Sequence, residues 1–187
     1  APFHVGGAEG EAPTVYLGVF RADALARVGG YDETFDRAQD WEMNHRIRAT
    51  GGKIWFNPKM QVSYRPRPTM RALSRQYFQY GTWRREVMRR HPETVQARYL
   101  APPLAVAGIV TGAAAGLAAQ TGVAPRWFGV GWLARLRYVA AVSHGGLAVS
   151  RNARLPVRAR VPAVLAAMHM SWGTGFITSR SQRRPQG

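Results

Sequence analysis

Cysteine is absent from the 187 residues. That excludes disulfides and zinc–thiolate centres and leaves the redox compartment open. Lysine is scarce, so the net charge of +16 rests almost wholly on arginine. The ten acidic residues all lie at or before Glu93; past it come eleven arginines, no lysine and no carboxylate. The first residues lack the basic start, apolar core and small-residue cleavage site of a secretory signal. There is no Gly-x-Ser-x-Gly elbow and no phosphate-binding or dinucleotide glycine loop. His4, His45, His91, His144 and His169 are scattered, with no pair at metal-ligand spacing. These gaps set aside the common nucleophile, P-loop and zinc-hydrolase chemistries, and no metal ligand is expected within this chain.

The arginine excess points toward polyanions, either nucleic acid or an anionic membrane face. Its distribution favours the membrane. A nucleic-acid tail would be polar throughout, whereas the arginines past Glu93 alternate with apolar stretches. Residues 101–123 carry no charge and are long enough to cross a hydrocarbon core of ~30 Å. Residues 128–150 form a weaker candidate, interrupted by Arg135, Arg137 and His144, and residues 161–178 a third, with His169 inside. Between the last two lies "RNARLPVRAR", four arginines in ten residues, a loop that the positive-inside bias places on the cytoplasmic side. A nucleic-acid-binding protein would show salt-sensitive binding and solubility without detergent. The uncharged stretch argues against it, so an anionic membrane is expected as a partner and nucleic acid is not.

Residues 1–98 read as soluble α/β material. "TVYLGVFR" is β-branched and aromatic and predicts a strand; "KIWFN" and "QVSYR" predict two more around a turn at Asn57-Pro58. "RADALARVGG" predicts a short helix stopped by Gly29-Gly30. "DRAQDWEMNHRIRATGG" predicts a helix with Asp40 at its cap or first turn, Met43 and Ile47 on one face, and Gly51-Gly52 as its end. Past the stiff "RPRPT" connector, Thr69 can cap a helix over about 70–90. Its stripe is Met70, Leu73, Tyr77, Tyr80 and Val87, with Arg84 in the remaining slot. Arginines around that stripe suit an amphipathic helix at a membrane interface, or one packed on its own domain. Three parts are therefore expected: 1–98 with the amphipathic helix at about 69–90, a membrane region at 99–178 with two to three apolar helices, and a basic tail at 179–187.

The acids Asp32, Glu33, Asp36, Asp40 and Glu42 are the cluster from which chemistry could come. A helix N-terminus favours an anionic carboxylate, and an anionic carboxylate is what a general base requires. Read without context, Asp40 and Glu42 are an acidic first turn.

The run "VGGYDETFDRAQDWEMNHRIRATGGKIWFNP" resembles the second half of a family 2 glycosyltransferase domain, the inverting GT-A type. There a GG-F/Y-D-E element precedes an E-D-x-E element at a helix start, and the helix ends in R-x-x-G. The corresponding residues are Gly29-Gly30-Tyr31-Asp32-Glu33, Gln39-Asp40-Trp41-Glu42, and Arg46, Arg48 and Gly51. Gln39 stands where the family usually has Glu. A further family element, Q-x-x-R-W, is matched by Gln79-Tyr80-Gly81-Thr82-Trp83 with Thr82 in place of Arg, followed by Arg84 and Arg85. The resemblance covers roughly residues 1–98. It is closest to bacterial membrane-associated exopolysaccharide enzymes of the succinoglycan type.

What this resemblance implies is specific. The fold would be the second half of a GT-A (Rossmann-like) α/β domain followed by C-terminal transmembrane helices. Asp40 would be the general base, with Trp41, Glu42, Gln79, Trp83, Arg84 and Arg85 binding substrate. The donor would be a nucleotide sugar and the acceptor a polysaccharide or lipid-linked sugar. The full-length enzyme would use a divalent metal, Mg or Mn, held mostly by an Asp-x-Asp half that this chain lacks. The chain would then be the C-terminal part of a longer enzyme at the cell membrane, its catalytic part cytoplasmic, inactive alone. The alternative is a non-catalytic membrane adaptor or scaffold that keeps a glycosyltransferase-like half domain.

Overall fold

The computed structural model describes residues 8–15, 18–61, 63, 65 and 67–181. The chain divides into two units, Ala1–Pro66 with Ser181–Gly187, and Arg67–Arg180. In the first unit the order is β1 (Gly10–Glu11), α1 (Ala22–Val28), α2 (Gln39–Ala49) and β2 (Trp55–Phe56). The second unit holds α3 (Met70–Arg90), a 3-10 turn (Pro92–Thr94), α4 (Ala97–Gln120), a second 3-10 turn (Arg126–Gly131), α5 (Trp132–Val149) and α6 (Leu155–Thr178).

The described residues are mostly helical, and those of the expected α/β, Rossmann-like half show two short strands and no parallel sheet. Strand among them is one antiparallel two-residue ladder, Gly10 opposite Phe56 and Glu11 opposite Trp55. Within "TVYLGVFR" the described residues are not in strand, and Tyr16 and Leu17 lie outside the described set. In "QVSYR", Val62 and Tyr64 lie outside it, and Gln61, Ser63 and Arg65 are not in strand. The reason is physical. β-branched and aromatic residues report that a segment fits a half-buried pleated surface; a strand also needs a neighbouring backbone to bond. Val15 and Phe20 still behave as strand residues would, packing with Leu25 and Val28 on the buried cluster of Met43, Ile47 and Ile54.

Two helix ends follow the expected chemistry. Gly29 (φ 74°) and Gly30 (φ 72°) are both left-handed, and Gly30 N–H donates to the Leu25 carbonyl at 3.0 Å, closing α1. At the start of α3, the Thr69 hydroxyl accepts from Ala72 N–H at 3.2 Å. The buried face of α3 differs from the expected stripe. Met70 and Tyr80 are exposed, and Gly81, Trp83 and Glu86 join Val87 in the interior.

The cause is α6. A Cβ at Gly81 would overlap the Trp172 carbonyl, and one at Gly175 would overlap the Phe78 carbonyl, so α3 and α6 touch backbone to backbone. Their contact is fastened at its end. Thr82 donates to the Gly175 carbonyl at 3.2 Å, Arg85 to the carbonyls of Phe176 (2.8 Å) and Ile177 (2.5 Å), and Arg89 to that of Ser179 (2.7 Å). Arginines thus serve the orphan carbonyls at the α6 C-terminus, where the helix dipole favours cations. Gly81→Leu is expected to lower the unfolding free energy by about 1–3 kcal/mol, the usual overpacking cost. Gly108→Leu in α4, where a side chain would meet open space, is expected to leave it unchanged. Denaturant unfolding in detergent followed by circular dichroism compares the two.

Two to three membrane helices were expected; among the described residues one meets the requirement. α4 spans 24 residues with a mean hydropathy of 1.7 in its most apolar window, and it is about 36 Å long. Leu104, Val110 and Leu117 are exposed along it. α5 and α6 are helices at the expected places, but neither is apolar enough over 18 residues to meet that requirement. Close small-residue contacts of the kind used between membrane helices join the bundle: Gly112 against Gly131, Gly116 against Trp132, Gly146 against Pro162 and Gly173 against Pro102.

Candidate active site

The carboxylates of interest sit in the first two turns of α2. The cap position is Ala38, left-handed at φ 65°, with no side-chain cap. Asp40 is therefore not the cap but the second residue of the helix. A left-handed alanine costs about 1 kcal/mol, and such strain gathers at functional sites. Two bonds hold it: Glu42 N–H donates to the Ala38 carbonyl at 2.9 Å, and the Gln39 amide donates to the Phe35 carbonyl. Phe35 is buried, which anchors the loop. Asp32 shapes the same loop by accepting from the Thr34 amide (2.9 Å) and hydroxyl (2.6 Å).

Asp40 and Glu42 have separate environments. Glu42 is buried, its side chain 3% exposed, and both of its oxygens accept from Arg46 at 2.7 Å. Arg46 then reaches across to α1, donating to the carbonyls of Val28 and Gly30. The hydrogen bond and charge of Glu42 hold the Arg46 guanidinium above its ordinary range. Asp40 is half-buried, and its partner among the described residues is the Tyr31 hydroxyl, which donates to Oδ1 at 3.3 Å. Gly29-Gly30-Tyr31 and Asp40-Trp41-Glu42 thus form one constellation: the turn receives Arg46, Glu42 holds Arg46, and Tyr31 meets Asp40.

Partial burial, then the charge of Asp40 and the hydrogen bond to it, push the Tyr31 phenol above the ordinary tyrosine value. The wild-type-minus-Tyr31→Phe difference in tyrosinate absorbance is therefore expected to develop above pH ~10. Asp40→Asn is expected to draw that signal back toward lower pH. A signal that ignores Asp40→Asn would show that the two groups do not interact in solution.

Trp41, Asp40 and Glu42 share α2. Trp41 is half-buried, with one ring face stacked on His45 (centroids 5.7 Å apart, planes 9° apart). The other substrate-binding candidates share α3 in the second unit. Gln79 is half-buried and Trp83 buried, 7% exposed. Arg84 lies over the Tyr99 ring at 4.4 Å, and burial draws its guanidinium below its ordinary range. Arg85 serves the end of α6.

Asp32, Glu42 and Asp40 are engaged as described, and among the described residues of the first unit no three acidic or histidine ligands converge. Sequence reasoning missed the contact between Tyr31 and Asp40 and the bridging role of Arg46. The Glu42–Arg46 spacing of four was a usable signal. It also missed buried Asn44, whose amide donates to Thr14 Oγ1 at 2.7 Å, while Oδ1 has no hydrogen-bond partner among the described residues; no sequence pattern links positions 30 apart.

One comparison bears on this constellation. The chain is similar to the succinoglycan biosynthesis protein ExoA of Rhizobium meliloti (strain 1021). Identity is 34% over 158 residues, covering 84% of this chain and 45% of ExoA, so the chain spans about half the length of that curated relative. No family model matches the chain, and no solved structure matches it.

Proposed function

We propose that this chain is part of a membrane-associated glycosyltransferase of exopolysaccharide biosynthesis and carries its acceptor side. Three supports stand together: the Gly-Gly-Tyr-Asp-Glu and Gln-Asp-Trp-Glu elements, the similarity to ExoA across most of the chain, and a helix long and apolar enough to cross a membrane. The observation that carries the proposal is the division between the two acids of α2. Glu42 is locked in a buried pair with Arg46, and Asp40 is left beside a hydroxyl at the helix start.

The chemistry is one inverting displacement. The acceptor hydroxyl oxygen attacks the anomeric carbon of a nucleotide sugar, its proton passes to Asp40, and the bond to the nucleoside diphosphate breaks with its electrons on the leaving phosphate. The residues of this chain supply the base, its hydroxyl partner Tyr31, and Trp41 as a sugar platform. Gln79, Trp83, Arg84 and Arg85 are assigned to substrate binding from the second unit. Arg85 would have to leave the carbonyls of Phe176 and Ile177 to meet a diphosphate. A divalent ion, if the reaction uses one, takes its ligands from outside the acids described. The acceptor is a polysaccharide or lipid-linked sugar, reached from the cytoplasmic face of the cell membrane.

The test is sugar transfer by the full-length protein in its own membranes, supplied with radiolabelled nucleotide sugars. Label entering a lipid-extractable or polymeric fraction is expected. Membranes that transfer no sugar from any donor would favour a non-catalytic adaptor.

A further inference from the structure

The end of α4 remote from α3 holds a feature that the transferase reading does not use. At its start, Tyr99 lies under Arg84 of α3. At its finish, Ala119, Gln120 and Gly122 meet Arg126, Gly129 and Trp132 around an open groove of about 500 Å3. α4 is about 36 Å long, so in a bilayer with a core of ~30 Å its two ends reach opposite interfaces.

The groove is amphiphilic in a definite way. Its one charged lining residue is the exposed Arg126. No carboxylate follows Glu93, and Glu86 is already paired with Arg89 and Arg90. Gln120 adds an amide. Each next in sequence to a lining residue, Val123, Trp127 and Val130 are among the most exposed apolar side chains of the second unit. Trp127 and Phe128 lie against each other, centroids 4.1 Å apart, as an aromatic pair suited to the headgroup level of a bilayer. A cation that can grip phosphate oxygens with two parallel N–H donors, with exposed apolar and aromatic residues beside it along the chain, matches an anionic phospholipid: phosphate at Arg126, glycerol and upper chains on Val123, Trp127 and Val130.

We propose that this groove binds the headgroup of an anionic phospholipid in the leaflet opposite α3. The inference depends on α4 crossing the bilayer and is independent of the transferase reading.

The probe is phosphatidylglycerol, titrated against phosphatidylcholine onto the full chain in detergent micelles and counted by native mass spectrometry. Phosphatidylglycerol is expected to bind more tightly than phosphatidylcholine. Arg126→Gln is expected to weaken it about tenfold, the loss of one charge-assisted contact, and Arg126→Lys to restore most of it. Gly129 lines the groove and has room for a side chain, so Gly129→Leu, which keeps the arginine, should weaken binding as much. Two controls on exposed arginines, Arg135→Gln and Arg160→Gln, should leave it unchanged. Equal binding by wild type and Arg126→Gln overturns the site. So does an equal loss in the two controls, which would mean diffuse attraction to a basic surface. Unchanged binding in Gly129→Leu overturns the groove as its location.

Discussion

Asp40→Asn is expected to lower sugar transfer by about a hundredfold or more while leaving the unfolding midpoint of the protein where it was. Positioned general bases contribute about 10²–10⁴-fold, and the carboxamide cannot take up the acceptor proton. It can still accept from Tyr31, so the hydrogen bond at 3.3 Å has a substitute and the fold loses little. The measurement is initial rate per mole of folded enzyme, with unfolding followed on the same preparation. Near-normal turnover ends the assignment of Asp40 as base. A lost rate in Asp32→Asn with a normal one in Asp40→Asn would move the base to the other side of the Tyr31 turn. Asp32 already has a structural role, accepting from Thr34 twice, so its substitution is expected to disturb the loop first and the rate through it.

How much of this was legible beforehand depended on the range of the interaction concerned. Local signals were read correctly: the Gly29-Gly30 stop, the Thr69 cap and the span of α3 each turn on residues a few positions apart. The apolar length near residue 100 is likewise local, and α4 lies there. What failed needed partners. "TVYLGVFR" has the composition of a strand, yet strand pairing is decided by another segment's backbone. The stripe on α3 missed Gly81, Trp83 and Glu86 because α6, some 90 residues away, chooses which face is covered. A buried Glu86 contradicts any hydropathy reading and becomes sensible only with Arg89 and Arg90 around its carboxylate. At the candidate site the partners of the two acids were not readable. Position along the motif could not say that Glu42 faces inward to Arg46 and Asp40 outward to Tyr31.

Glu42→Gln is the second large effect expected, and it should fall on stability rather than on chemistry. Glu42 is 3% exposed with both oxygens on Arg46, itself 24% exposed. Removing one partner of such a buried pair leaves the other charge uncompensated, at a cost of about 3–5 kcal/mol. The loss spreads, because Arg46 also holds the carbonyls of Val28 and Gly30 at the end of α1. Without its carboxylate, the guanidinium has reason to turn to solvent and release the Gly29-Gly30 turn, and with it Tyr31. Arg46→Gln should therefore destabilise the first unit similarly, and the double variant should cost less than the sum of the two, since both remove one interaction. Denaturant unfolding of the three variants tests this. Strict additivity would show that the pair is not coupled. The same design recurs in the second unit, where buried Glu86 holds Arg89 and Arg89 donates to the Ser179 carbonyl just past α6. In each unit a buried glutamate fixes an arginine, and the arginine closes the end of a neighbouring helix. At α2 this leaves Asp40 as the carboxylate that can be spared for a proton.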